Sequence, residues 1–134
     1  MIELERLSDW ESRLSEYIAS KRDEPFAYAT NDCFCFSLGA AEAMTGTDCM
    51  PEFRGQYSNE FGSLRALKEI GQGNLESTLD YRFPIIEIGY ARRGDLAFFD
   101  GSVGVVMGSF AWFVSEQGLE RVSREFWDKC WRIG

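Results

Sequence analysis

The chain has 134 residues, of which 45% are hydrophobic and 15% aromatic, enough for one compact domain with its own core and too few for two. Its formal net charge of -8, with 22 acidic residues, 14 basic ones and no histidine, argues against a surface built to neutralise nucleic-acid phosphates. No stretch reaches the roughly 18 apolar residues of a membrane span. The opening "MIELERLSDWE" carries acids where a signal peptide has a basic and then an apolar stretch, so neither a membrane span nor a signal peptide is expected.

Leu7, Trp10, Leu14 and Ile18 recur at helical spacing, and Ser8 with Glu11 forms a Ser-x-x-Glu capping box, which predicts an amphipathic helix over about 8–21. Pro25 interrupts the pattern, and Asn31 or Thr30 can cap a second helix over about 32–45 that stops at Gly46. Phe34, Phe36, Leu38, Ala40, Ala41 and Met44 surround that helix, so it should run through the core. A third helix is expected over about 60–71, with Phe61, Leu64, Leu67 and Ile70 on one face. The stretch 74–93 reads two ways, "LESTLDYRF" as a short helix and "IIEIGYA" as extended chain; Arg92-Arg93 reads as a solvated turn.

From Asp95 the pattern changes to period two, through "DLAFF", "VGVVM", "FAWFV" and "LERV", with Gly108-Ser109 as a two-residue hairpin turn between the second and third. The end, "SREFWDKCWRIG", should make one helical turn and a final short strand, with Trp127, Trp131 and Ile133 as core anchors. The expected fold is therefore α+β, a single domain over residues 1–134 with N-terminal helices packed on a small antiparallel sheet. Trp112, Phe110, Phe98 and Phe99 alternate along strands and read as core and contact residues rather than a ligand cage.

The four cysteines, at positions 33, 35, 49 and 130, lack the CxxC pairs of a zinc site or a thioredoxin-like centre, so free thiols and no metal or cofactor are expected. Cys33 and Cys35 lie about 200° apart around a helix of about 3.6 residues per turn, so at most one can face a site. Cys33 falls in the first turn, where unpaired amides and the helix dipole favour a thiolate, although a buried cysteine can equally serve as a small hydrophobe. Asp32 beside it can offset the helix dipole. Cys35, Cys49 and Cys130 read as packing residues.

"PFAYATNDCFCF" resembles the aromatic, small-residue, Asp-Cys signature of the NlpC-type cell-wall cysteine peptidase superfamily. "RRGDLAFFDGSVGVVMG" resembles that family's second motif, in which Gly-Asp opens one strand and a histidine followed by Val-Gly opens the next. With the Trp-Arg-Ile tail, the pattern over about 6–133 looks most like the short branch encoded among tail genes of phages and gene transfer agents.

The resemblance implies a papain-like fold with Cys33 as nucleophile, Asp32 flanking it, Tyr28 shaping the substrate pocket and the base at Ser102. It places a third, orienting residue near Val114 or Ser115, of which only Ser115 is polar. Serine has no useful basicity near neutral pH, and acid–base assistance is worth about 10²- to 10⁴-fold within units whose members are strongly non-additive. Glu116, Asp100 and Asp95 are substitutes by proximity alone.

The implied function is a structural component of a phage or phage-like tail, at the tip or hub, built on a catalytically degenerate domain. It would be made in the host cytoplasm and reside in the virion tail. Its partners would be other tail proteins, whether hub, tape-measure or distal components, with peptidoglycan peptides as a further class. The alternatives are an active peptidoglycan endopeptidase using Cys33 with an atypical base during genome delivery, and a module that binds peptides without cutting them.

Overall fold

The most apolar helix of the sequence lies at the centre of the molecule. A computed structural model describes residues 1–134. Four helices, α1 (Trp10–Lys21), α2 (Cys33–Thr45), α3 (Glu60–Glu69) and α4 (Leu75–Arg82), precede the whole sheet. The strands are β1 (Ile85–Ile86), β2 (Leu96–Phe99), β3 (Ser102–Val106), β4 (Phe110–Ser115), β5 (Gly118–Ser123) and β6 (Lys129–Trp131). They form one antiparallel sheet in the order β1-β6-β2-β3-β4-β5, so the C-terminal strand inserts between β1 and β2. The α+β class read from the sequence is the one observed. No helix is long and apolar enough to cross a membrane.

Helix α2 buries Phe34, Phe36, Leu38, Ala40, Ala41 and Met44, as a helix apolar around its whole circumference must. It packs on α1 and on β3, where Ser37 Oγ donates to the Val103 carbonyl at 3.2 Å. The shared core includes Leu14 and Ile18 of α1 and Leu96, Val103, Val105, Trp112, Trp131 and Ile133 from the sheet side. Gly46 ends α2 in the left-handed conformation, at φ 77°, with its amide on the Glu42 carbonyl.

The opposite face of the sheet buries a second cluster of Ala97, Val106, Ala111, Phe113, Trp127 and Cys130. Arg124 secures the loops beside it, donating to the carbonyls of Ile88 at 2.6 Å, Ala91 at 2.9 Å and Gly108 at 2.7 Å. Trp127, Trp131 and Ile133 are all buried, as the sequence suggests, and Met107 and Phe110 close the expected hairpin with a 2.9 Å backbone bond.

Three local expectations differ from the structure. The Ser8–Glu11 capping box does not form: Asp9 occupies the cap position of α1 without a side-chain cap bond, and its carboxylate accepts from Arg13 Nε at 2.8 Å. The cap of α2 is Asp32, not Asn31 or Thr30, because the Asn31 amide is drawn to the carbonyls of Glu24 and Pro25, each at 3.1 Å. The apolar stripe of α3 is only partly covered: Leu67 and Ile70 pack on the core, while Phe61 stays 75% and Leu64 54% exposed.

The ends of the chain meet at a buried ion pair. Arg6 donates from Nη2 to Asp95 Oδ1 at 3.1 Å, from Nε to the Ile133 carbonyl at 2.8 Å and from Nη1 to the Arg93 carbonyl at 2.8 Å. Asp95 is fully buried and also accepts the amides of Ile133 and Arg92, at 3.0 and 2.9 Å. Arg92 and Arg93 themselves are exposed, as a solvated turn requires.

Candidate functional site

Asp32 organises the start of α2. Its Oδ1 accepts the Cys35 amide at 2.8 Å, as an N-cap aspartate does. Its Oδ2 accepts the Ala29 amide at 2.9 Å and the Tyr57 hydroxyl at 2.6 Å. The Ala29 bond holds a tight turn in which Ala29 has φ 72° and Ala27 pairs with Asn31. That turn presents Phe26 and Tyr28, whose rings meet edge to face with centroids 4.8 Å apart.

On the sheet side, Asp100 and Gly101 both have positive φ, 48° and 78°, between the paired residues Phe99 and Ser102. This is the geometry an Asp-Gly hairpin turn supplies. It sets Ser102 at the start of β3, lining the same cleft as Cys33 at the start of α2.

Cys33, Ser102, Asp32 and Tyr28 line one cleft of about 740 Å³. Its walls are largely apolar, from Phe26, Phe34, Phe53, Leu64, Leu75 and Phe98. The structure thus brings Ser102, far away in the sequence, to one cleft with Cys33 and Tyr28.

At the thiol itself, burial and the helix terminus act in opposite directions. Burial pushes the Cys33 thiol up to about 11; the Val103 amide pulls it back, the Asp32 charge adds to the rise, and the Ser102 side chain and the Phe34 amide pull it down. Desolvation therefore opposes the stabilisation that the helix terminus offers a thiolate.

None of the substitute bases reaches this thiol as a free carboxylate. Asp95 is committed to Arg6, and Asp100 and Glu116 are exposed and do not line the cleft. The carboxylates that do line it are Asp32, with both oxygens engaged, and Glu76, which pairs with Lys129 at 2.7 Å. Ser115 lies outside the cleft lining: its Oγ donates to the Gly118 carbonyl at 2.8 Å and accepts the Gln117 amide at 3.2 Å, so the β4–β5 turn consumes the hydroxyl intended to orient a base.

Sequence reasoning missed Tyr57, Phe53, Lys68 and Glu76, all of which line the cleft. Only the Asp100-Gly101 turn, which positions Ser102, carried a readable signal. Cys35 is also more than a packing residue, since its Sγ lies 3.5 Å from the Tyr57 hydroxyl on Asp32.

The thiols make a prediction for alkaline solution. Burial raises Cys33, Cys35 and Cys49 to about 11 and Cys130 to about 12, against 9.0 for a free thiol, and raises Tyr17 and Tyr57 well above the ordinary phenol. Each group then favours the folded state while protonated, so that contribution is complete below pH 9 and is lost as pH rises through 11 to 12. Urea titrations should show a constant midpoint from pH 7 to 8.5 and a steady fall above 9; a midpoint unchanged at pH 11 would contradict the burial assigned to these groups.

A family model described as a domain of unknown function, DUF6950, matches residues 5–133. No curated protein matches the chain.

Proposed function

The chain belongs to the DUF6950 family, and we propose that it is a catalytically degenerate relative of the NlpC-type, papain-like cysteine peptidases that serves as a structural component of a phage or phage-like tail, at the tip or hub. The observation that carries the loss of catalysis is that Cys33 shares its cleft with Ser102 and with no free carboxylate. A peptidase of this kind needs a group that takes the thiol proton and returns it to the leaving amine. Ser102 can do neither near neutral pH.

The tail setting rests on the likeness of the two motifs around Cys33 and Ser102 to those of tail-encoded family members. Its partners in that reading are neighbouring tail proteins. Purified particles from a producing host should contain the protein at a fixed ratio to the major tail protein, measured by quantitative mass spectrometry; its absence from intact particles would contradict the assignment.

The chemistry is tested separately. Incubated with peptidoglycan or its crosslinked peptides, the protein should release no new amino termini, and a release abolished by Cys33→Ala would overturn the degenerate reading in favour of an endopeptidase with an atypical base. Ser102→His should raise the rate of Cys33 alkylation at pH 7.5 at least about tenfold, because an imidazole beside a thiol stabilises the thiolate. No change in that variant would mean that the side chain at 102 does not govern the thiol.

The apolar walls of the cleft favour a second reading in which a peptide still binds without being cut. Calorimetric titration with cell-wall peptides should then show saturable binding that Cys33→Ser leaves unchanged, and heats that never saturate would dismiss it.

A further inference from the structure

Away from the cleft, the face of β4 and β5 that looks toward α1 carries two arginines stacked on aromatic rings. The Arg121 guanidinium carbon lies 4.5 Å from the Phe110 ring centre and 5.1 Å from that of Trp112, and Arg22, at the end of α1, lies 5.2 Å from the same Trp112 ring. Phe110 and Trp112 themselves meet edge to face at 5.1 Å. Neither arginine forms an ion pair, although the chain carries a net charge of -8. Asp23, next to Arg22, is exposed and pairs with neither, and Glu120 belongs to the opposite face, across from Phe113. Two like charges are thus held at one tryptophan with their hydrogen-bonding edges free, an arrangement that costs repulsion unless an anion relieves it.

The backbone beside them is also open. Strand β5 is an edge of the sheet. The Leu119 amide bonds outward to the Arg22 carbonyl at 2.9 Å, which fixes the alternation of the strand. In the antiparallel register with β4, Arg121 and Ser123 then turn their amides and carbonyls away from β4, toward the unpaired side. Arg22 covers the edge at Leu119, and the edge is open from Arg121 to Ser123.

We propose that this edge binds, by strand addition, a short extended segment of a partner protein whose alternate side chains are aspartate or glutamate. Main-chain bonds to Arg121 and Ser123 fix the register, and a carboxylate opposite Arg121 falls on the face where both guanidiniums are held. A second copy of this chain is the poorer occupant, because pairing β5 with its own symmetry mate brings the Arg121 and Arg22 side chains of both copies together on one face. Nucleic acid is disfavoured because the open edge offers alternating main-chain donors and acceptors, which an extended polypeptide matches and a phosphate backbone does not.

The test uses the intact protein and a capped six-residue peptide alternating glutamate with valine. Calorimetry should show saturable binding that weakens with added salt, and backbone amide shifts should concentrate at residues 119–124. A glutamine-for-glutamate peptide should bind at least about tenfold more weakly, and so should the Arg121→Gln and Arg22→Gln proteins, as expected for loss of a charge-assisted bond. Methylating alternate peptide amides should abolish binding. Equal binding of the glutamate and glutamine peptides, shifts located in the Cys33 cleft, binding of an oligonucleotide but not the peptide, or a dimer formed through β5 would each overturn the proposal. If a variant does not fold, the salt dependence and the glutamine comparison on the native protein decide the question.

Discussion

Arg6→Ala should cost the folded state about 3–5 kcal/mol, a large share of the 5–15 kcal/mol that holds a domain of this kind together. Arg6 is 8% exposed at its side chain and Asp95 not at all, so truncation leaves a carboxylate in the interior without its counter-charge. Burial lowers the Arg6 guanidinium from its ordinary value and the Asp95 charge opposes that shift, which marks the pair as desolvated rather than a surface contact. The same arginine donates to the carbonyls of Arg93 and Ile133, so its loss also leaves both carbonyls without that donor. Asp95→Ala should be comparably costly for a second reason, since it strands the Ile133 and Arg92 amides. Urea denaturation monitored by tryptophan fluorescence gives the answer; a loss below about 1 kcal/mol would place the pair among ordinary surface ion pairs.

Asp32→Ala should cost about 2–4 kcal/mol, combining loss of a helix cap with a half-buried hydroxyl and a backbone amide left without acceptors. Asp32 is 4% exposed and serves the Cys35 amide, the Ala29 amide and the Tyr57 hydroxyl together. Asp32→Asn keeps one acceptor and should recover part of that stability. It also removes a negative charge that helps to raise the Cys33 thiol, so Cys33 alkylation should become faster in Asp32→Asn, not slower. A residue that supported a thiolate nucleophile would show the opposite sign. Slower alkylation in a stably folded Asp32→Asn would restore a catalytic role to this carboxylate.

Cys33 and Ser102 lie far apart in the chain yet were placed at one site from two motifs, and the structure sets them in one cleft. That placement came from the resemblance of the two motifs to a known family, since no local pattern in the chain joins residue 33 to residue 102. The choice among Thr30, Asn31 and Asp32 as the cap was not visible. All three can cap, and the decision fell to Glu24 and Pro25, whose carbonyls occupy the Asn31 amide.

The periodicity of Phe61, Leu64, Leu67 and Ile70 showed a helix with an apolar stripe but not how much core lay beneath it. The partner of Asp95 was unreadable for another reason: Arg6 is 89 residues away, and nothing in local pattern joins them. The thiol of Cys33 shows the same limit in its chemistry. A helix start can be read from the chain, whereas the desolvation that opposes it depends on side chains from several elements.

The most direct measurement is the pH dependence of iodoacetamide alkylation, resolved by mass spectrometry for each of the four cysteines, between pH 6 and 9 where the fold keeps its stability. The expected result is a Cys33 rate that climbs about tenfold per pH unit without a plateau, as for a thiol that stays protonated, accompanied by no cleavage of peptidoglycan peptides. A Cys33 rate that is already on a plateau below pH 8 and far above those of Cys35, Cys49 and Cys130, together with peptide cleavage lost in Cys33→Ala, would contradict the account and return this cleft to the active peptidases.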